Sequence, residues 1–177
     1  MIIGDGPVGC LHTEVAHARG AAKVMMAGLD RLDFARSFGV DLLMDNRNPD
    51  QVAYMVKEAT GGIGADYVIC AVPSVRVQQQ ALELCRKRGM VVIYGGVPRS
   101  DEQTRLNSNL IHYNEITVTG SFSYPATGLR EALDAIDSGK INAQAYISRV
   151  IPLKDVLEGM ELVRSGAALK VILNPWM

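Results

Sequence analysis

Cysteine is scarce in this chain, and none of the three (Cys10, Cys70, Cys85) lies close to another. That spacing argues against a disulfide framework and against a Cys-x-x-Cys zinc or redox pair. Each cysteine has apolar neighbours, which reads as a buried small hydrophobe. An excess of one charge is also lacking: 18 Lys and Arg stand against 19 Asp and Glu, for a net charge of −1. Without a basic run, neither nucleic acid nor an anionic membrane is an expected partner. Apolar runs stop after a handful of residues, far short of the about 20 that span a bilayer. No charged stretch leads into an apolar one near Met1, so no secretory signal is expected. With 48% hydrophobic residues, the expectation is a soluble globular chain in the cytoplasm.

Several catalytic signatures are missing as well. A Tyr-x-x-x-Lys pair, in which the Lys lowers the Tyr pKa for proton transfer, does not occur. Four residues after Tyr54, Tyr67, Tyr94, Tyr113, Tyr124 and Tyr146 come Glu58, Ala71, Pro98, Thr117, Gly128 and Val150. There is no Gly-x-Ser-x-Gly elbow and no Gly-Lys-Ser/Thr phosphate loop. A catalytic zinc needs about three convergent ligands. His12 and His17 point different ways on one expected helix, and His112 lies far along the chain. The sequence therefore names no catalytic residue and no metal ligand.

What is present is rhythm. Strands are expected at Met1–Ile3, Lys23–Ala27, Leu42–Met44, Tyr67–Val72 and Met90–Tyr94. Between them lie helices expected at Pro7–Arg19, Asp30–Phe38 and Pro49–Ala59, and one opened by Ser74. That last helix is expected to end in Arg86-Lys87-Arg88 and Gly89, basic charge at its negative end. Tyr67–Val72 and Met90–Tyr94 are apolar throughout, as strands buried on both faces require. The alternation implies an α/β fold: a doubly wound parallel sheet covered by helices on both faces. A sixth strand, 115–121, alternates as an edge strand does. A helix over 128–137 follows, then a strand–helix–strand tail at 146–151, 153–164 and 169–173.

Gly4-x-Gly6-x-x-Gly9 follows a strand and opens a helix, the context a dinucleotide fingerprint requires. The first glycine permits the tight turn and the second lets backbone approach a pyrophosphate. The third lets the helix lie close, its N-terminal amides facing phosphate. The carboxylate expected at the end of the second strand, for the adenosine ribose, is replaced by Gly28. Its absence removes repulsion against a 2′-phosphate, and Arg31 offers a positive partner, which leans towards NADP. In the alternative, Asp30 reaches the ribose through a shortened loop and NAD is bound. Both readings stay open.

Three further segments accompany the Gly-Asp-Gly-Pro-Val-Gly turn: Arg31-Leu32-x-x-Ala35-x-x-x-Gly39-x-Asp41, Gly61-Gly62-x-Gly64-Ala65-Asp66, and Leu110 to Phe122. As an ordered set they resemble the medium-chain dehydrogenases, the zinc-type alcohol, sorbitol and threonine dehydrogenases, and the Leu110 to Phe122 segment looks like their sorbitol-type branch. The resemblance implies a Rossmann domain over 1–145 and a C-terminal segment, 146–177, that completes a GroES-like catalytic domain. It implies that the amides of Pro7 and Val8 meet the pyrophosphate. Gly28, Leu29, Asp30 and Arg31 would flank the adenosine ribose, and Ala71 and Val72 the adenine. Gly95, Gly96, Val97, Ser121 and Phe122 would approach the nicotinamide. Ala71, Val72 and Val97 read equally well as core. Family members carry their zinc ligands in a preceding domain, so zinc is expected only there and the isolated chain is expected to be inactive. A second reading is a dinucleotide-binding or assembly module that dimerises through strand 115–121. The tail's apolar face, without that domain, is expected to drive self-association or an altered packing of the tail. A methyltransferase also uses a glycine turn but fits the later segments poorly.

Overall fold

A computed structural model describes all 177 residues. The chain divides into two compact units, Met1–Tyr124 and Pro125–Met177. This division falls ahead of the boundary expected at 145, so the helix beginning at Ala126 belongs with the tail.

In the first unit, β1 (Ile2–Ile3), β2 (Met25–Gly28), β3 (Leu42–Asp45), β4 (Ala65–Cys70), β5 (Cys85–Ile93) and β6 (Thr117–Gly120) form one sheet. Their order is β3-β2-β1-β4-β5-β6, and every neighbouring pair is parallel. The doubly wound expectation holds. Ile2 sits opposite both Met26 and Ile69, so the short β1 is the axis from which the two halves wind outward. Helices α1 (Pro7–Ala18), α2 (Leu32–Ala35), α3 (Pro49–Ala59), α4 (Val75–Leu84) and α5 (Ser108–Asn114) make the connections. Ile3, Met25, Ala27, Val68, Cys70 and Val91 from the strands pack with Val52, Val56, Ala81 and Leu82 from α3 and α4.

Local chemistry sets the helix starts. Asn48 accepts a hydrogen bond from the Gln51 amide at 3.2 Å ahead of Pro49, and Ser74 accepts one from Val77 at 3.4 Å.

Two local expectations fail. The helix expected to run through Arg86-Lys87-Arg88 stops at Leu84, and Cys85 is already extended, with ψ at 138°. Cys85 pairs with Ala65, and the register slips before Tyr67 meets Met90. The basic residues find carboxylates across the chain instead of a helix end. Arg86 Nε donates to Asp66 at 2.6 Å, and Arg88 pairs with Glu115. The sixth strand also starts later than 115, because Glu115 (φ 52°) ends α5 in the left-handed region. Helix α5 itself had no counterpart in the sequence reading. Asn107 caps it, accepting from the amides of Asn109 and Leu110 at 3.1 and 3.3 Å.

The second unit contains α6 (Ala126–Asp137), β7 (Arg149–Pro152), α7 (Val156–Arg164) and β8 (Val171–Asn174). β7 and β8 pair in parallel, joined by α7. The strand expected from Tyr146 begins only at Arg149, because Ala143–Tyr146 forms a 3-10 turn capped by Asn142. A Cβ on Gly159 would come within 3.0 Å of Ile151 Cδ1, so glycine lets α7 lie directly on this small sheet. No helix of the chain is long and apolar enough to cross a membrane.

Candidate functional site

The carboxyl ends of β1, β4 and β5 lie side by side where the winding reverses, the place where open α/β sheets hold ligands. Gly4 leaves β1 with φ at 129°, and its amide donates to Ala27 O at 2.8 Å. A Cβ on Gly4 would stand 2.7 Å from Val72 Cγ1. A Cβ on Gly9 would stand 1.9 Å from the Gly4 carbonyl oxygen, so only glycine lets α1 start this close to the turn. Gly6 differs: nothing lies within 4 Å of where its Cβ would be. Two glycines are fixed by contact, and the middle one faces open space.

Gly6 is the residue before α1 and brings no side-chain cap, and the helix's first turn contains no acidic residue. The leading amides of α1 therefore aim at that space without an internal acceptor. The sequence reading gave this role to Pro7 and Val8. Pro7 has no N–H, and the Cys10 amide returns to Gly6 O at 3.1 Å, so the donors are Val8 and Gly9. A pyrophosphate fits such a cradle, with both charge and hydrogen bonding favourable.

The rim continues across the sheet. Gly95 donates to Cys70 O at 2.8 Å, and a Cβ on it would lie 2.6 Å from the Val72 carbonyl. Val72 is thus held between Gly4 and Gly95, and both Ala71 and Val72 are half-buried at the lip. Gly96 is open and Val97 half-buried just beyond. Ser121 reaches the same edge, its amide donating to Ile93 O at 3.2 Å. Phe122 is fully exposed.

At the far end of the turn stands a residue the sequence reading passed over. Asp5 is 9% exposed, and its Oδ2 accepts from the amides of Leu29 at 2.8 Å and Arg31 at 2.7 Å. A Cβ on Gly28 would fall 2.3 Å from Asp5 Cβ and 2.4 Å from its Cγ. The carboxylate looked for at position 28 is absent, yet one arrives at the same spot from the turn. The signal was available: Asp5 is the one charged residue inside the fingerprint. Arg47, also overlooked, gathers the rest of this loop. Its guanidinium donates to Leu29 O at 2.8 Å, to Asp30 at 2.5 Å and to Asp45 at 3.2 Å. The Arg47 backbone N–H, and then its side chain, hold the Asp45 carboxyl below its usual range.

The histidines stand apart. His12 meets Tyr94 edge-on at 4.6 Å with Nε2 buried and unpartnered, and burial lowers its pKa. His17 Nε2 lies 2.8 Å from Gly39 O, and His112 sits against Tyr113. No three His, Cys, Asp or Glu side chains come together as a metal would need. Burial pushes the thiols of Cys10 and Cys85 up to about 11 and that of Cys70 to about 12, far from nucleophilic values.

Residues 7–138 match the sequence family described as zinc-binding dehydrogenase. The chain is similar to a sorbitol dehydrogenase of Halalkalibacterium halodurans, 30% identical over 99% of this chain and 51% of that protein. Among solved structures, 2R,3R-butanediol dehydrogenase from Bacillus subtilis superposes with a TM-score of 0.88 at 25% identity, over 98% of this chain and 50% of that one. A zinc-binding dehydrogenase from Sinorhizobium meliloti, bound to NADP, gives 0.88 at 26% identity over 98% and 51%. The chain spans about half the length of the curated relatives it matches.

Proposed function

Because this chain belongs to the zinc-binding dehydrogenase family, we propose that it is the NAD(P)-binding portion of an alcohol or polyol dehydrogenase. The observation that carries the reading is the turn: Gly9 touching Gly4, Gly6 open, and the Val8 and Gly9 amides without an acceptor. In the proposed complex those amides hold the pyrophosphate. The loop from Gly28 to Arg31 flanks the adenosine ribose, and Ala71 and Val72 line the adenine. Gly95, Gly96, Val97, Ser121 and Phe122 border the nicotinamide. When bound, the nicotinamide supplies the hydride acceptor or donor; the protein's part is orientation and exclusion of water.

The residues of this chain do not fit a zinc centre, since no three candidate ligands converge. None is given a role in metal chemistry. The parent reaction is hydride transfer between an alcohol or polyol and nicotinamide, and the 177-residue chain alone is expected to be silent. Calorimetry with NADH and NADPH tests binding, and alcohol- or polyol-dependent reduction of NAD(P) tests silence. Turnover by the pure chain would overturn the second part.

A second reading, an assembly module, is favoured by β6. It is one of the sheet's two outer strands, and an unpaired edge invites pairing with a second copy. We also assign the chain to the cytoplasm, on its composition.

A further inference from the structure

Resting on the dinucleotide reading, we propose that Asp5 sets the cofactor's phosphate state: it occupies the seat a 2′-phosphate would need, and so selects NAD. The ribose 2′ position lies at the end of the second strand in this fold class, beside the loop that follows it. A 2′-phosphate is held there by positive charge and by loop N–H groups that converge on one point, since converging amides form an anion seat. In this chain the converging amides are those of Leu29 and Arg31, and they are already taken. Both donate to one oxygen, Asp5 Oδ2, at 2.8 and 2.7 Å. An internal carboxylate fills the seat.

Three observations make this a built arrangement. Asp5 is 9% exposed, so its carboxylate is fixed inside the turn. Its Cβ, Cγ and Oδ2 lie 2.3, 2.4 and 2.5 Å from where a Cβ on Gly28 would stand, so the two positions admit only one side chain between them. Asp30 is turned to Arg47 at 2.5 Å in an exposed ion pair, whereas Asp5 is the buried carboxylate tied to the loop's own amides. Both amides bond to Oδ2, so in the proposed complex Oδ1 is the oxygen that accepts from a 2′-hydroxyl. A 2′-phosphate at the same place meets like charge and finds the amides occupied. The inference runs against the lean towards NADP that Gly28 and Arg31 gave in the sequence. What looked like a missing acid is an acid supplied from another strand end.

Isothermal titration of the full chain with NADH and NADPH tests this, alongside 5′-AMP and adenosine 2′,5′-bisphosphate as probes of the adenosine end alone. The wild-type chain is expected to bind NADH at least about tenfold tighter than NADPH, and 5′-AMP tighter than the bisphosphate, as close like charges demand. Asp5→Asn, near in shape and uncharged, should narrow or invert the ratio, and adding Arg31→Ala should take the gain in NADPH binding away. Equal or tighter binding of NADPH by wild type overturns the proposal, whether or not the variants fold. So does an unchanged ratio in a folded Asp5→Asn or Asp5→Ser chain, which would make Asp5 a loop tie only. If none of the four ligands binds a folded wild-type chain, the dinucleotide reading falls first and this inference with it.

Discussion

Gly9 lies against Gly4 so closely that a Cβ on it would sit 1.9 Å from the Gly4 carbonyl oxygen. No rotamer relieves a backbone clash, so Gly9→Ala must push α1 off the turn. We expect a loss of about 1–3 kcal/mol or more, as for other overpacked sites, measured by urea unfolding. Affinity for NADH should fall with it, because Gly9 also supplies an amide. Gly6→Ala, with nothing within 4 Å, should leave stability near wild type while weakening the dinucleotide.

Gly28 and Asp5 should behave as a coupled pair. Gly28→Ala places a methyl 2.3 Å from Asp5 Cβ. In an Asp5→Gly background that collision is gone, so the same substitution should cost less, with a coupling of about 0.5–3 kcal/mol, as for residues in contact. A four-member unfolding cycle measures it. Strict additivity would show that the loop moves freely and that the pair is not matched.

His12 gives a pH dependence with a definite sign. Burial lowers its folded pKa below 6.5, and Nε2 has no partner. The folded state thus resists protonation. This contribution is fully present above pH 6.5 and is lost as pH falls through the lowered folded value. The melting temperature should therefore fall as pH drops below 6.5, and His12→Phe should lessen that fall. The Asp45 and Glu115 carboxyls, held low chiefly by Arg47 and Arg88, have the same sign but act only below their ordinary values of 3.8 and 4.5.

The tail should promote association. An apolar groove of about 690 Å³ runs along α7 and β8, where Leu157 is 78% and Met160 65% exposed. Large exposed apolar patches mark contact surfaces. Light scattering should find species larger than a monomer. Leu157→Asp should reduce them if the tail is the contact, and Thr119→Lys if the contact is the β6 edge. A strictly monomeric wild type would contradict both.

The sheet was legible because its strands are written in apolar runs such as Tyr67–Val72, although full burial on both faces is not reached: Val68 and Cys70 are buried while Tyr67 is 59% exposed. The glycine turn was legible because each glycine answers a separate backbone demand. The basic end assigned to α4 misled for a physical reason. Arg86 and Arg88 suit a helix terminus locally, but Asp66 and Glu115, distant in sequence, attract them more specifically. Helix α5 was hidden because its cap, Asn107, follows an irregular polar stretch rather than an apolar period. Asp5 was missed because its partners, Leu29 and Arg31, are backbone amides that only the folded sheet brings within reach.

Backbone amide NMR of the full chain during NADH titration addresses the central claim most directly. Saturable shifts at Val8 and Gly9, spreading to Gly6, Leu29, Val72 and Gly95, are the expected result. A spectrum in which those amides stay still, or in which shifts appear only around the α7 groove, would contradict it.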